Sequence, residues 1–134
     1  MKQYIGIPWV KKGYDYDGCD CWGLAVLFYK NEFGIELPTF DNVYYNGSHE
    51  ELHEGFSKAR PEELFHRVEE GQLGDVIVFY LRGYPIHVGL WINDSQFLHC
   101  RQGSKSCLSR FSQYNWKEKI EGIYRHNALP ESPQ

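Results

Sequence analysis

The chain has 134 residues and a formal net charge of −4, long enough for one domain with its own core. With no Lys/Arg run and an acidic balance, it lacks the electrostatic footprint of a nucleic-acid binder. Aromatic residues reach 16%, which suits a clefted small enzyme or an interaction module.

Met1 to Lys12 (MKQYIGIPWVKK) has no continuous apolar stretch, so no signal peptide is expected, and no segment approaches the roughly eighteen apolar residues of a membrane span. The chain is therefore expected to be made in a reducing cytoplasm, where structural disulfides are rare. The clearest helix covers residues 21 to 33. Leu24, Leu27 and Phe28 recur at helical spacing, while Ala25, Val26 and Tyr29 fill much of the remaining circumference, so the helix should be mostly buried. Asp20 is its expected N-cap and Gly34 its stop. Ser48 to Glu51 (SHEE) reads as a capping box opening a polar surface helix that ends near Pro61, within an insertion spanning Asn42 to Val68.

After Gly71 the pattern turns to short β-rich runs: Val76 to Leu81, His87 to Ile92, Gln96 to Cys100 and Lys119 to Tyr124. The breaks between them include Arg82-Gly83-Tyr84-Pro85 and a tight turn at Asn93-Asp94-Ser95. The expected class is α+β, a buried N-terminal helix packed on an antiparallel meander, with one domain over residues 1–126. Asn127 to Gln134 (NALPESPQ) reads as a flexible tail.

The chemistry centres on Gly18-Cys19-Asp20-Cys21-Trp22-Gly23. A zinc clip is disfavoured: Cys19-x-Cys21 is tighter than a usual knuckle and no Cys/His pair matches it, so no metal or other cofactor is expected. Cys100 and Cys107 suit small buried packing positions, with a meeting across a hairpin as the alternative; Cys19 reads as a packing bystander. Cys21 differs because it sits in the first turn of a helix, where free N–H groups and the macrodipole favour a thiolate and a later oxyanion. Gly23 would leave room there for a substrate backbone. Asp15, Asp17 and Asp20 stand near enough in sequence to meet a substrate ammonium, although Asp20 has its capping role.

Of the six histidines, His49, His53 and His66 fall in a polar, glutamate-rich stretch and His126 lies beside the tail, so these read as ordinary surface or packing residues. If the two β-runs pair about Asn93-Asp94-Ser95, His87 and His99 are cross-strand partners, one imidazole orienting the other.

These residues resemble a known family. Gly18 to Leu24 is similar to the D-C-x-G-L nucleophile signature of NlpC-type cysteine peptidases, the papain-like cell-wall endopeptidases. Gly74-Asp75-Val76-Ile77-Val78-Phe79, His87-Val88-Gly89-Leu90-Trp91-Ile92 and Phe97-Leu98-His99 resemble three further blocks of the same family in the same order, over roughly residues 5 to 125. The resemblance implies a papain-like fold with Cys21 as nucleophile, His87 as general base and acid, and His99 orienting His87. It implies hydrolysis of the D-γ-glutamyl–diamino acid bond in peptidoglycan stem peptides. Many members carry Pro-Tyr upstream, where the phenol lines the oxyanion site; here the pair is Pro8-Trp9, so Trp9, Tyr14 or Tyr16 is expected to take that place beside Asp20 and Trp22.

Trp22 in place of the usual Ser, the run Phe28 to Pro38 and a late Tyr124-Arg125 pair are similar to phage tail-assembly and tail-tip members. That likeness implies tail-tip partners and delivery to the periplasm or wall on a virion tail or similar particle. The alternative within it is a structural tail adaptor with weak, processing-only or vestigial catalysis.

Overall fold

The computed structural model describes residues 1–39 and 61–131. The capping box at Ser48 to Glu51, the polar helix it would open, His49 and His53 lie outside those residues.

The helix forms where its local signals put it. α1 covers Cys21–Phe33; Asp20 caps it by accepting from the Gly23 amide at 2.7 Å, and Gly34 ends it in the left-handed region at φ 67°. Every residue from Cys21 to Tyr29 is buried, as an apolar circumference demands. A small hairpin, β1 (Tyr14–Asp15) and β2 (Gly18–Cys19), lies against the start of α1. Gly23 allows that contact: a Cβ on it would meet the Gly13 carbonyl oxygen at 1.7 Å. The absent side chain thus makes room for this chain's own backbone, and the expected room for substrate there is not what it provides.

The main sheet has six antiparallel strands: β3 (Phe65–Val68), β4 (Val76–Leu81), β5 (Tyr84–Asn93), β6 (Gln96–His99), β7 (Cys107–Arg110) and β8 (Ile120–His126), in the order β3-β8-β4-β5-β6-β7. Strands β4 to β7 form the expected meander, while β8 returns to insert between β4 and β3. The turn between β4 and β5 is only Arg82-Gly83, both at positive φ, as a tight hairpin with the sheet's own twist requires, so β5 starts three residues earlier than its β-rich run. β3 and β7 lack a β-rich signal in sequence and form as edge strands on β8 and β6.

The sheet separates two apolar layers. On the α1 side, Val76, Val88, Leu90, Leu98 and Cys100 pack with Leu24, Ala25, Phe28 and Tyr29 of the helix. On the other side, Ile77, Phe79 and Phe97 pack with Phe111 and Trp116. Cys107 pairs directly with His99, so Cys100, the next residue, points to the opposite face and the two thiols cannot meet across the hairpin. All four cysteines are free.

A buried ion pair ties β8 to the β4 entry. Arg125 donates through Nε and Nη2 to the two carboxylate oxygens of Asp75 at 3.0 and 2.8 Å, and Nη2 also reaches the Glu70 carbonyl. Arg125 also bonds Glu131, and Leu129 packs on the core while the Pro130 carbonyl accepts from Gln72. The first five residues of the expected tail are therefore held on the domain, because they satisfy a buried guanidinium.

Breaking this pair from one side leaves a buried charge alone. Arg125→Met is expected to lower unfolding free energy by about 3–5 kcal/mol in urea titrations. A loss under about 1 kcal/mol would mean that Asp75 finds other compensation.

Candidate active site

Cys21 is the first residue of α1 and reaches the sheet at a gap in its pairing. In β5 the Trp91 amide and carbonyl face the β4 side, bonding Asp75 and Gly74. By alternation, the carbonyl of Ile86 and the amide of Val88 face the β6 side. β6 ends at His99, opposite Gly89, so nothing from β6 pairs with that edge. The Cys21 thiol fills the place: its Sγ donates to the Ile86 carbonyl at 3.8 Å and accepts from the Val88 amide, with a further donation from the Trp22 amide. The sulfur thus straddles the backbone of His87.

The His87 ring rises on the face away from α1, and its Nε2 lies 2.8 Å from Nδ1 of His99. The two histidines are not direct cross-strand partners as expected. His99 pairs with Gly89, two positions along, so His87 and His99 are diagonal neighbours on one face. The cause is where the turn falls: alone it would put His99 opposite Leu90, and a bulge brings it one residue closer to His87, opposite Gly89. Asn93 pairs with Gln96 across a two-residue turn, and an extra residue then enters β5 between Trp91 and Asn93. Without that residue His99 would fall opposite Leu90 and turn its ring into the α1 layer. Gly89 keeps the diagonal open, since a Cβ there would come within 3.0 Å of the Phe97 ring and 3.1 Å of Phe79.

The pair continues outward. His99 Nε2 lies 2.7 Å from the Ser109 hydroxyl on β7, and Ser109 lies 3.7 Å from the Cys107 sulfur. Trp116 covers both rings, with centroids 5.7 Å from His87 and 5.1 Å from His99, while the Arg101 guanidinium and Lys119 ammonium sit over its indole. Neither Ser109 nor Trp116 stood out in the sequence; one is in a strand without β signal and the other in an irregular loop.

Enclosure sets the protonation. Cys21 is 8% exposed and His87 4%. Burial, with the Asp20 carboxylate adding to it, pushes the Cys21 thiol up to about 12, against the lowering expected from a helix N-terminus and an imidazole. Burial also drives His87 well below the usual imidazole range, helped by His99 and Arg101, and takes His99 down to about 4. At neutral pH the Cys21 thiol and both imidazoles therefore rest neutral. Among the described residues the thiol and the His87 ring share no hydrogen bond.

The other expected site residues are placed elsewhere or otherwise occupied. Asp20 uses its carboxylate on Gly23 and Lys12 amides rather than facing a ligand. Trp22 turns into the core, its indole donating to the Pro38 carbonyl at 2.7 Å. Tyr16 is bonded to Asn31 and stacked on Tyr4, ten helical residues and about 15 Å from Cys21 along α1. Tyr14 is half-exposed in the hairpin beside the helix start, and Trp9 bridges to Cys19 in the segment packed under the same end. Among the described residues no group of three or more His, Cys, Asp or Glu side chains is arranged to hold a metal ion, and no helix is long and apolar enough to cross a membrane.

A helix-borne cysteine on an antiparallel sheet, with a histidine pair from adjacent strands, is the arrangement of papain-like cysteine hydrolases. The NlpC/P60 family matches residues 6–125, and the chain belongs to that family. It is 29% identical over 132 residues to the gamma-DL-glutamyl hydrolase of Bacillus subtilis, covering 96% of this chain and 28% of that protein. It is 26% identical over 128 residues to the murein DD-endopeptidase MepS/murein LD-carboxypeptidase of Escherichia coli K12, covering 93% of this chain and 60% of that protein. The chain therefore spans less than two thirds of either relative. Among solved structures, the NlpC/P60 domain of the peptidoglycan hydrolase SagA superposes with TM-score 0.61 at 20% identity over 92% of this chain and 91% of that one. A Bacillus cereus NlpC/P60 protein gives 0.68 at 23%, over 93% of this chain and 37% of that one. Both share the α+β papain-like fold.

Two measurements test the resting site. Peptide mass spectrometry after iodoacetamide pulses should show Cys21 alkylating slowly from pH 6 to 9 and faster only beyond. A plateau of fast labelling across that range would mean a standing thiolate–imidazolium pair. Stability should also fall with acid. Between the ordinary histidine value of about 6.5 and the value of about 4 for His99, the unfolded chain takes up a proton that the folded chain refuses, so folding weakens as pH falls through that window. Urea midpoints measured between pH 7 and 4 should show this slope, and His99→Gln should make it shallower while His87 keeps part of it.

Proposed function

We propose that this chain is a cysteine peptidase acting on peptidoglycan stem peptides at the D-γ-glutamyl–diamino acid bond. The observation that carries the reading is the seat of the Cys21 sulfur on the backbone either side of His87, with His87 in turn bonded to His99. The B. subtilis relative is named for γ-glutamyl hydrolysis and the E. coli one for murein cleavage, which supports the substrate class.

In this mechanism His87 Nε2 is held by His99, which leaves Nδ1 to take the thiol proton. Because both partners rest neutral, proton removal accompanies attack on the amide carbon rather than preceding it. The Trp22 amide in the first turn of α1, which donates to the sulfur, is then placed to meet the oxyanion. The Cys21 sulfur becomes a thioester, the His87 imidazolium gives its proton to the leaving amine, and water, deprotonated by His87, releases the acid and restores the thiol. Every step uses side chains of this chain and water.

The finer reading is that a phage tail or similar particle delivers the domain to the wall. It is supported by Trp22 following the nucleophile, by the run from Phe28 to Pro38, and by Tyr124-Arg125, which resemble tail members.

Purified protein should release muropeptides from sacculi. His87→Ala should lower the rate by about 10²–10⁴-fold, and Cys21→Ala should abolish it. Undiminished digestion by the Cys21 variant would overturn the mechanism. Particles carrying Cys21→Ala should assemble and fail at the wall; unaffected infection would favour an adaptor role instead.

A further inference from the structure

Beyond the Cys21, His87 and His99 roles, we propose that Ser109 is a positioning residue that selects the catalytically competent tautomer of His87 by accepting a hydrogen bond from His99. The inference rests on the reading of His87 as general base.

Only one arrangement of protons along the chain from His87 to Ser109 leaves that base usable. His87 Nε2 is engaged at 2.8 Å with His99 Nδ1, so Nδ1 is the nitrogen remaining for the thiol proton. To accept a proton, Nδ1 must carry its lone pair, and a neutral ring then carries its hydrogen on Nε2. His87 Nε2–H therefore donates, and His99 Nδ1 must be the acceptor. A neutral His99 with a free Nδ1 carries its own hydrogen on Nε2, which points at the Ser109 hydroxyl 2.7 Å away. Ser109 is the acceptor that completes this arrangement, with its own hydrogen turned toward the Cys107 sulfur at 3.7 Å.

The opposite arrangement is the inactive one. If His99 carried its hydrogen on Nδ1, it would donate to His87 Nε2, and the His87 hydrogen would move to Nδ1, leaving that nitrogen no lone pair for the thiol proton. Burial of both rings keeps them neutral, so the choice lies between two neutral tautomers and a protonated form does not blur it. Removing the hydroxyl leaves a largely enclosed N–H without an acceptor, which favours the inactive pattern.

The sheet register makes Ser109 available. Cys107 pairs with His99 and Ser109 pairs with Phe97, so both β7 side chains share the face of the histidines. Ser109 is therefore diagonal to His99 in the same sense that His99 is diagonal to His87, and one interaction geometry repeats across three strands.

The test combines nitrogen-15 spectra of the histidine side chains with kinetics on a soluble γ-glutamyl stem peptide. In the parent protein at pH 7.5, His87 should show an unprotonated Nδ1 and a protonated Nε2, and His99 the same pattern. Ser109→Ala should shift both rings toward the reverse tautomer and lower kcat about ten- to a hundredfold with KM unchanged. Ser109→Thr, which keeps the hydroxyl, should restore both the spectrum and most of the rate. A parent His87 protonated at Nδ1, or an alanine variant whose tautomers and kcat both match the parent, would overturn the proposal. The spectra need no substrate, so they decide the role of Ser109 even if the peptide is not the right one and no parent turnover is seen.

Discussion

The site depends on a thiol standing in for a missing strand. β5 runs past the end of β6, which leaves the Ile86 carbonyl and the Val88 amide on an open edge, and Cys21 at the head of α1 answers both. An unpaired buried backbone edge is costly, so the docking satisfies the sheet and fixes the helix at the same time. It also puts the sulfur against the backbone of His87, the residue proposed as its base. Chemistry and folding share an interaction here.

Around that contact, the neighbouring features divide into those that hold the helix and those that tune the rings. Asp20 caps the helix and binds Lys12, Gly23 admits the Gly13 carbonyl, and the Arg125–Asp75 pair anchors the far side of the sheet. On the opposite face, Phe79, Phe97 and Trp116 wall the histidines, and this enclosure keeps them neutral. A neutral resting pair protects the thiol from adventitious chemistry while leaving a strong nucleophile once the proton is removed. Trp116, with Arg101 and Lys119 over it, packs on both histidine rings.

Much of this was legible in the residues. Asp20 and Gly34 bracket α1 correctly because capping and left-handed termination are local, and the apolar circumference foretold its burial. The β-rich runs found β4, β5, β6 and β8 because each is a central strand, and β4, β5 and β6 send apolar side chains into both layers. β3 and β7 escaped because edge strands are held by their neighbours more than by their composition. The histidine pair was seen on one face with the wrong register, since the turn falls at Asp94-Ser95 between the paired Asn93 and Gln96, and the bulged residue that follows leaves no mark in composition. The thiol was expected to be acidic because the helix end was visible; its burial was not, because burial depends on what covers the site, and in that enclosure the adjacent Asp20 charge adds to the upward push. Tyr16 and Trp22 are close to Cys21 in sequence, but the helix carries one partner of Tyr16 away and turns the other indole inward.

The central claim is that bond cleavage passes through an acyl group on the Cys21 sulfur. The most direct measurement is peptide mapping by mass spectrometry after acid quench of the protein mixed with a γ-glutamyl stem peptide in the first turnover. The account predicts an acyl mass on the peptide containing Cys21, absent in His87→Ala and absent from Cys19, Cys100 and Cys107. An acyl mass on a different side chain while product forms, with Cys21 unmodified, would contradict it.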